Sequence, residues 1–293
     1  MTAVRLRAGD YEATFRPDAG MTGTSLRYRN VEHVVRPEPL GRLRAGVMTG
    51  ISLMHPWANR LGARRYRAAG RTVDLTALDL PTDAACLPLH GNLCAAPFVV
   101  DRIDRHRLDA HLGHEADSPR FAAFPYPHRL DVSVQLDARR GLTVGTVLRP
   151  TGRRAVPVAF GWHPYLRLPA STRSGWALVL PGSERLALGG HKLPTGARTP
   201  VRRGRLPLAG TSLDDHFALR APTALAIGDG ERRVTVRFGN GYGYAQVYAP
   251  ARRRFVAIEP MTAPIDGLRT GTTPSVAPGE QFTAGFTIAV GAD

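Results

Sequence analysis

Arg129-Leu130-Asp131-Val132-Ser133-Val134-Gln135-Leu136-Asp137 alternates polar and apolar residues along its whole length. Successive side chains of a strand point to opposite faces, so the pattern reads as a strand with one buried face and one wetted face. Its expected partner runs over 142–148, across Ala138-Arg139-Arg140-Gly141. Working outward toward the N-terminus, short extended segments separated by Gly, Pro, Asp or Asn are expected at 4–7, 11–15, 24–28 and 33–35. Toward the C-terminus they are expected at 155–160, 176–180, 185–188, 224–227, 233–238, 244–248, 255–258 and 282–290. Asn240-Gly241 favours a hairpin between two of these. No segment keeps a helical period free of Gly and Pro for more than about ten residues, which disfavours a parallel α/β sheet. The expectation is an all-β protein, a large antiparallel two-sheet β-sandwich, because the strands outnumber what one open sheet accommodates. Composition does not shift along the chain and no repeat is present, so residues 1–293 are read as a single domain. The stretches 118–127 and 189–210 read as long loops of the kind that carry or cover a binding site.

A hydrophobic content of 43% with 22% charged residues belongs to a folded chain rather than a disordered one. No run approaches the length of a membrane-spanning helix, and Met1 to Asp10 lacks the apolar core of a signal peptide, so a cytoplasmic protein with no membrane partner is expected. Two cysteines, Cys86 and Cys94, make no disulfide scaffold and read as reduced thiols; a zinc site would need further ligands beside them. The net charge of +15 would ordinarily suggest nucleic acid, yet all but Lys192 of the 39 basic residues are arginine and they are spread along the chain. Their densest groups, Arg64-Arg65-Tyr66-Arg67, Arg202-Arg203-Gly204-Arg205 and Arg252-Arg253-Arg254, lie beside turn formers and read as solvated loops, so no specific nucleic-acid partner is expected.

Phe160-Gly161-Trp162-His163-Pro164-Tyr165 is the stretch with the most chemical content. Proline drives the residue before it into an extended backbone, which places His163 and Tyr165 on one side and Trp162 on the other. Such a histidine can move protons near neutral pH if polar partners gather around it. Candidates are Asn59-Arg60 after His55-Pro56-Trp57-Ala58, His90-Gly91 after Leu87-Pro88-Leu89, Asp214-Asp215 before His216-Phe217, Gln246-Val247-Tyr248, and Glu259-Pro260-Met261-Thr262 at the end of an apolar run. Each alone also fits a structural role: Arg60 covering surface, Asp214 capping a turn, Glu259 pairing with Arg254. His111-Leu112-Gly113-His114 with Glu115 lacks the helical spacing of zinc hydrolases and reads as a solvated loop. Gly239-Asn240-Gly241-Tyr242-Gly243 is not followed by a helix and does not read as a phosphate loop.

Taken in order, these pieces resemble the aldose 1-epimerase (galactose mutarotase-like) family. The resemblance rests on Pro56-Trp57-Ala58-Asn59-Arg60-Leu61 and its continuation from Gly62 to Leu75, then Leu89-His90-Gly91 and Gly161-Trp162-His163-Pro164-Tyr165. It resumes at Leu213-Asp214-Asp215-His216-Phe217, Gln246-Val247-Tyr248, Glu259-Pro260-Met261-Thr262-Ala263-Pro264 and Ala277-Pro278-Gly279-Glu280. The resemblance implies a β-supersandwich with an open sugar site that needs no cofactor and no metal. It implies Glu259 as general base and His163 as general acid, with Asn59, Arg60, His90, Asp214 and Gln246 holding sugar hydroxyls and Tyr165 lining the pocket. Asp214 is preferred to Asp215 by its spacing to Phe217. The family often has a tryptophan beyond the His-Gly, where this chain has Ala95-Ala96-Pro97-Phe98.

The implied reaction asks for these residue types on chemical grounds. Exchanging anomers means removing the proton from the C1 hydroxyl while protonating the ring oxygen, which a carboxylate and an imidazolium can do, each contributing about 10²–10⁴-fold. Arginine, amide and a second imidazole suit the remaining hydroxyls, and Trp57 or Trp162 is an aromatic that either stacks on the sugar or fills the core. Two alternatives stay open: a hexose 6-phosphate as substrate, with Arg64, Arg65 and Arg202 as phosphate partners, and a sugar-binding module without turnover.

Overall fold

The computed structural model describes residues 3–36 and 39–293. The alternating stretch forms the His128–Asp137 strand, paired antiparallel with Gly141–Pro150 so that Leu130 lies opposite Leu148 and Val134 opposite Val144. Its apolar positions are buried and Arg129, Asp131 and Ser133 are half-exposed, which is the alternation its sequence dictates. From this pair a nine-stranded sheet extends in the order Gly204–Pro207, Ala177–Leu180, Thr223–Gly228, Arg232–Phe238, Phe282–Ala292, Gly141–Pro150, His128–Asp137, Arg107–His114 and Val99–Ile103.

A second sheet of eleven strands packs against it, with Ile51–Met54, Gly161–Leu166, Val256–Met261, Tyr244–Ala249 and Leu213–Ala218 as consecutive neighbours at its centre. The facing surfaces interleave Leu130, Val134, Val144 and Phe286 from one sheet with Trp162, Val256, Ile258 and Val247 from the other. The outer surface of the eleven-stranded sheet is covered too. Met54, Tyr165, Ala257 and Met261 pack there under Leu43, Ala58, Cys94 and Ile265. Every residue of the Ile51–Met54, Gly161–Leu166 and Val256–Met261 strands is therefore buried. A strand covered on both sides loses the in-and-out pattern, so these three show no regular alternation in the sequence.

Several expectations are corrected. The turn at Asn240-Gly241 does not close a hairpin: Arg232–Phe238 belongs to the nine-stranded sheet and Tyr244–Ala249 to the eleven-stranded one. Gly241 has φ +92 and a Cβ there would lie 2.5 Å from the Thr283 carbonyl oxygen, so the chain crosses tightly between sheets while Tyr242 enters the core. The 189–210 stretch contains two strands, Pro194–Val201 and Gly204–Pro207, both at sheet edges where proline and glycine are tolerated. His111 and His114 lie on the Arg107–His114 strand rather than a loop, His111 outward against Asp101 and His114 buried. Within 155–160 only Val156–Pro157 is a strand, and the strand near 33–35 is Val31–Glu32. Trp57 and Trp162 are both core residues; the Trp162 indole N–H donates to Thr146 Oγ1 at 3.1 Å on the inner side of its strand. Among the described residues no helix is long and apolar enough to cross a membrane.

Candidate active site

Cross-strand neighbours share a face, so the register of the eleven-stranded sheet decides which polar residues meet. Gly161 opposes Met261 and Tyr165 opposes Ala257, which brings His163 level with Glu259. Glu259 opposes Gln246, Gln246 opposes His216, and on the other flank His163 opposes Ser52. One rung across five strands thus reads Ser52, His163, Glu259, Gln246, His216. It crosses the outer face, inside the apolar frame of Met54, Tyr165, Ala257 and Met261.

His163 Nε2 lies 3.2 Å from Glu259 Oε1, and the two side chains are only 5% and 2% exposed. The same nitrogen lies 3.2 Å from the Tyr165 hydroxyl, whose ring stacks parallel to the imidazole at 4.2 Å. Glu259 Oε2 and His163 Nδ1 have no hydrogen-bond partner among the described residues. Burial drives the Glu259 carboxyl well above the usual carboxylate range, an effect the Asp214 charge reinforces and the Arg60 guanidinium opposes. Burial also drives the His163 imidazole well below its usual value, helped by His90. Both shifts favour a pair that carries one proton between its members, because a bare carboxylate or a doubly protonated pair would each leave a net charge in a dry place.

The second wall comes from two chain segments bent into left-handed conformations. Asn59 has φ 57 and His90 has φ 61, and the His90 N–H donates to the Asn59 carbonyl at 2.7 Å. Gly91 follows at φ +72, where a Cβ would sit 2.2 Å from the His55 carbonyl oxygen, so only glycine fits behind His90. Strain of this kind costs about 1–3 kcal/mol per residue and gathers where a side chain must be aimed. The result is a His90 ring edge-on to His163 at 5.5 Å. Burial, with the Arg60 charge, lowers the His90 pKa to about 3, so its imidazole is neutral at working pH. Arg60 donates from Nε to Asp83 at 3.0 Å, has Nη1 buried without a partner, and is tied through its carbonyl to the Asp266 N–H at 3.1 Å.

At the other end of the rung the Gln246 amide N–H donates to Asp214 Oδ1 at 2.6 Å, and Lys192 Nζ stands 3.6 Å from Asp214 Oδ2. Asp215 faces the opposite way, into a groove of about 450 Å³ with Leu178, Phe217 and Arg202. Of the three arginines named for a phosphate, Arg64 donates to the Leu75 and Leu78 carbonyls, Arg65 pairs with Asp74, and Arg202 lines that groove. Glu259 does not pair with Arg254, which donates to the Ser171 carbonyl. The structure therefore gathers Asn59, Arg60, His90, His163, Tyr165, Asp214, Gln246 and Glu259 on one face. It adds His216, fully buried on the same rung, which sequence reasoning passed over although its spacing of two from Asp214 puts it on the same side of a strand. Among the described residues no group of three or more His, Cys, Asp or Glu is arranged to hold a metal ion.

The fold is that of a galactose mutarotase-like β-sandwich. The aldose 1-epimerase family model matches residues 3–289, and the chain belongs to that family. A galactose mutarotase-like protein from Clostridium acetobutylicum superposes with a TM-score of 0.87 at 18% identity, covering 99% of this chain and 95% of that one. An aldose epimerase homologue from C. elegans gives 0.82 at 16% identity, covering 99% of each chain. A galactose 1-epimerase from Lactobacillus acidophilus gives 0.77 at 13% identity, covering 99% of this chain and 94% of that one. No curated protein matches the sequence.

Proposed function

We propose that the protein is an aldose 1-epimerase that accelerates the exchange of α and β anomers of an unphosphorylated hexose. The observation that carries this reading is the contact of His163 Nε2 with Glu259 Oε1 on an outer face that also holds Tyr165, Gln246 and Asp214. Substrate enters between them, the C1 hydroxyl against the carboxylate and the ring oxygen O5 against the imidazolium. Glu259 takes the O1 proton as C1–O1 becomes a carbonyl, the C1–O5 bond breaks, and His163 delivers its proton to O5. Rotation about C1–C2 and the reverse transfers close the ring on the other face, returning both groups to their starting state. Asn59, Arg60, His90, Asp214 and Gln246 hold the remaining hydroxyls. The Tyr165 hydroxyl, on the nitrogen that gives up the proton, keeps the imidazole aimed.

The pair works while it holds one proton in total. Activity falls when acid adds a second proton, which burial defers to well below the ordinary imidazole value. It also falls when base removes the only one, which burial defers to well above the ordinary carboxylate value. The pH profile is therefore a bell with a broad top. Exchange of α-glucose, α-galactose and glucose 6-phosphate, followed by NMR, tests the proposal. Glu259→Gln and His163→Asn should each abolish acceleration with the fold intact, and glucose should outrun its 6-phosphate. Wild-type rates in both variants would refute the assignment.

A further inference from the structure

We propose that His216 is a positioning residue of this site: it holds the Gln246 amide in one orientation and thereby sets how the Gln246–Asp214 pair reads neighbouring hydroxyls of the sugar. The inference rests on the sugar-site reading above and deepens it.

His216 Nε2 accepts the backbone N–H of Ile265 at 3.3 Å. That bond requires a bare Nε2, so the neutral ring carries its hydrogen on Nδ1. Nδ1 is buried and makes no hydrogen bond of ordinary length. Gln246 Oε1, on the residue directly opposite His216 in the strand pairing, is left in the same condition. One is a donor and the other an acceptor. Burial lowers the His216 pKa to about 4, and hydrogen bonding to the Gln246 side chain, then to the Ala245 backbone, works against that fall. From the other side, Gln246 Nε2 donates to Asp214 Oδ1 at 2.6 Å.

Both ends agree on one amide orientation. Turning the amide over would aim its oxygen at the Asp214 carboxylate and its N–H at the His216 N–H, two repulsive contacts in a buried place. The Ile265 N–H, a backbone donor that cannot move, sets the histidine tautomer; the tautomer sets the amide. The His216 ring lies parallel to Tyr244 with centroids 5.7 Å apart, which fixes its plane. With its orientation settled, Gln246 has one N–H still to offer and Asp214 has Oδ2, a donor beside an acceptor. That set is complementary to two adjacent hydroxyls, one accepting and one donating, and is worth most against a sugar that presents both correctly.

The test compares His216→Phe, His216→Asn and His216→Gln in anomer exchange of glucose and galactose, which differ at one hydroxyl, with glucose binding measured by calorimetry. Phe keeps a ring against Tyr244 and removes both nitrogens; Asn restores a donor near the Nδ1 position; Gln restores a group near Nε2 only. Removing one neutral hydrogen bond should raise KM about 3- to 10-fold while kcat stays within about twofold. The glucose-to-galactose ratio of kcat/KM should move toward one, and Asn should recover most of the loss where Gln does not. An unchanged KM in a folded His216→Phe protein, or equal behaviour of Asn and Gln, would overturn the inference. If His216→Phe does not fold, the order of Asn and Gln decides. Wild-type protein that binds glucose without accelerating exchange would contradict the proposed function instead, and the same variants are then ranked by Kd.

Discussion

Two groups of buried histidines, one between the sheets with His114 and His128 on strands of the nine-stranded sheet and one on the outer face of the eleven-stranded sheet, do opposite things with their protons. In the core, His128 Nδ1 donates to the Tyr126 carbonyl at 2.7 Å, which leaves Nε2 to accept from His55 Nε2 at 2.8 Å, while His114 Nε2 donates to the Phe124 carbonyl at 2.9 Å. Every hydrogen of that trio has one acceptor, and the nitrogens left over are lone pairs facing Phe124 and its neighbours. At the outer face, His163 Nε2 stands between a carboxylate and a phenol, so its proton has more than one place to be. Burial lowers the pKa in both groups. Depth and a depressed pKa therefore do not mark a working histidine. An unsettled proton beside a titratable partner does.

The largest expected contrast is in activity. Glu259→Gln should cut the rate of anomer exchange by about 10²–10⁴-fold. Replacing the core's His128 by Gln should leave kcat within a few-fold, as read by polarimetry on both proteins. Stability should show the reverse. His128→Ala leaves the His55 N–H without an acceptor and opens a cavity, at a cost of about 2–4 kcal/mol in urea unfolding. Glu259→Gln replaces a buried ionisable group by a neutral side chain of the same shape, and should be neutral within about 1 kcal/mol. A rate collapse in His128→Gln would erase the distinction between the two groups.

Acid should sharpen it. The folded pKa values of His55, His114 and His128 lie below the unfolded value of 6.5, the last at about 3. A group with a depressed folded pKa contributes stability that is fully present above the unfolded value and lost as pH falls toward the folded one. Unfolding free energy should thus decline from pH 7 to pH 4, and His128→Gln should flatten the decline. The smallest expected effect is that of Tyr165→Phe. It removes one of two partners of His163 Nε2 and leaves Glu259, so kcat should fall by less than about tenfold with the stacked ring retained.

Strands of the nine-stranded sheet are plain in the sequence where they have one wet face, as 129–137 and 282–290 show. The strands that carry the site are not, since Gly161–Leu166 and Val256–Met261 are covered on both faces and keep no alternation. The first of them is recognisable only because His163-Pro164 forces an extended backbone. Asn240-Gly241 misleads because a tight turn says that the chain reverses and not which sheet receives it. The residues of the site are readable one by one through the family resemblance, yet the rung is not, because register is a property of pairings between distant segments. His216 shows the limit: sequence can place it on a strand after two aspartates, but only the strand pairing sets it against Gln246.

The central claim is that Glu259 and His163 act as a unit on one C1–O5 group. A double-mutant cycle on the exchange rate of α-glucose, using Glu259→Gln, His163→Asn and the combined variant, tests it most directly. If the two pass a single proton through one step, either change alone disables the unit and the combined variant is no slower than the worse single variant. Losses that multiply, each group contributing regardless of the other, would contradict it.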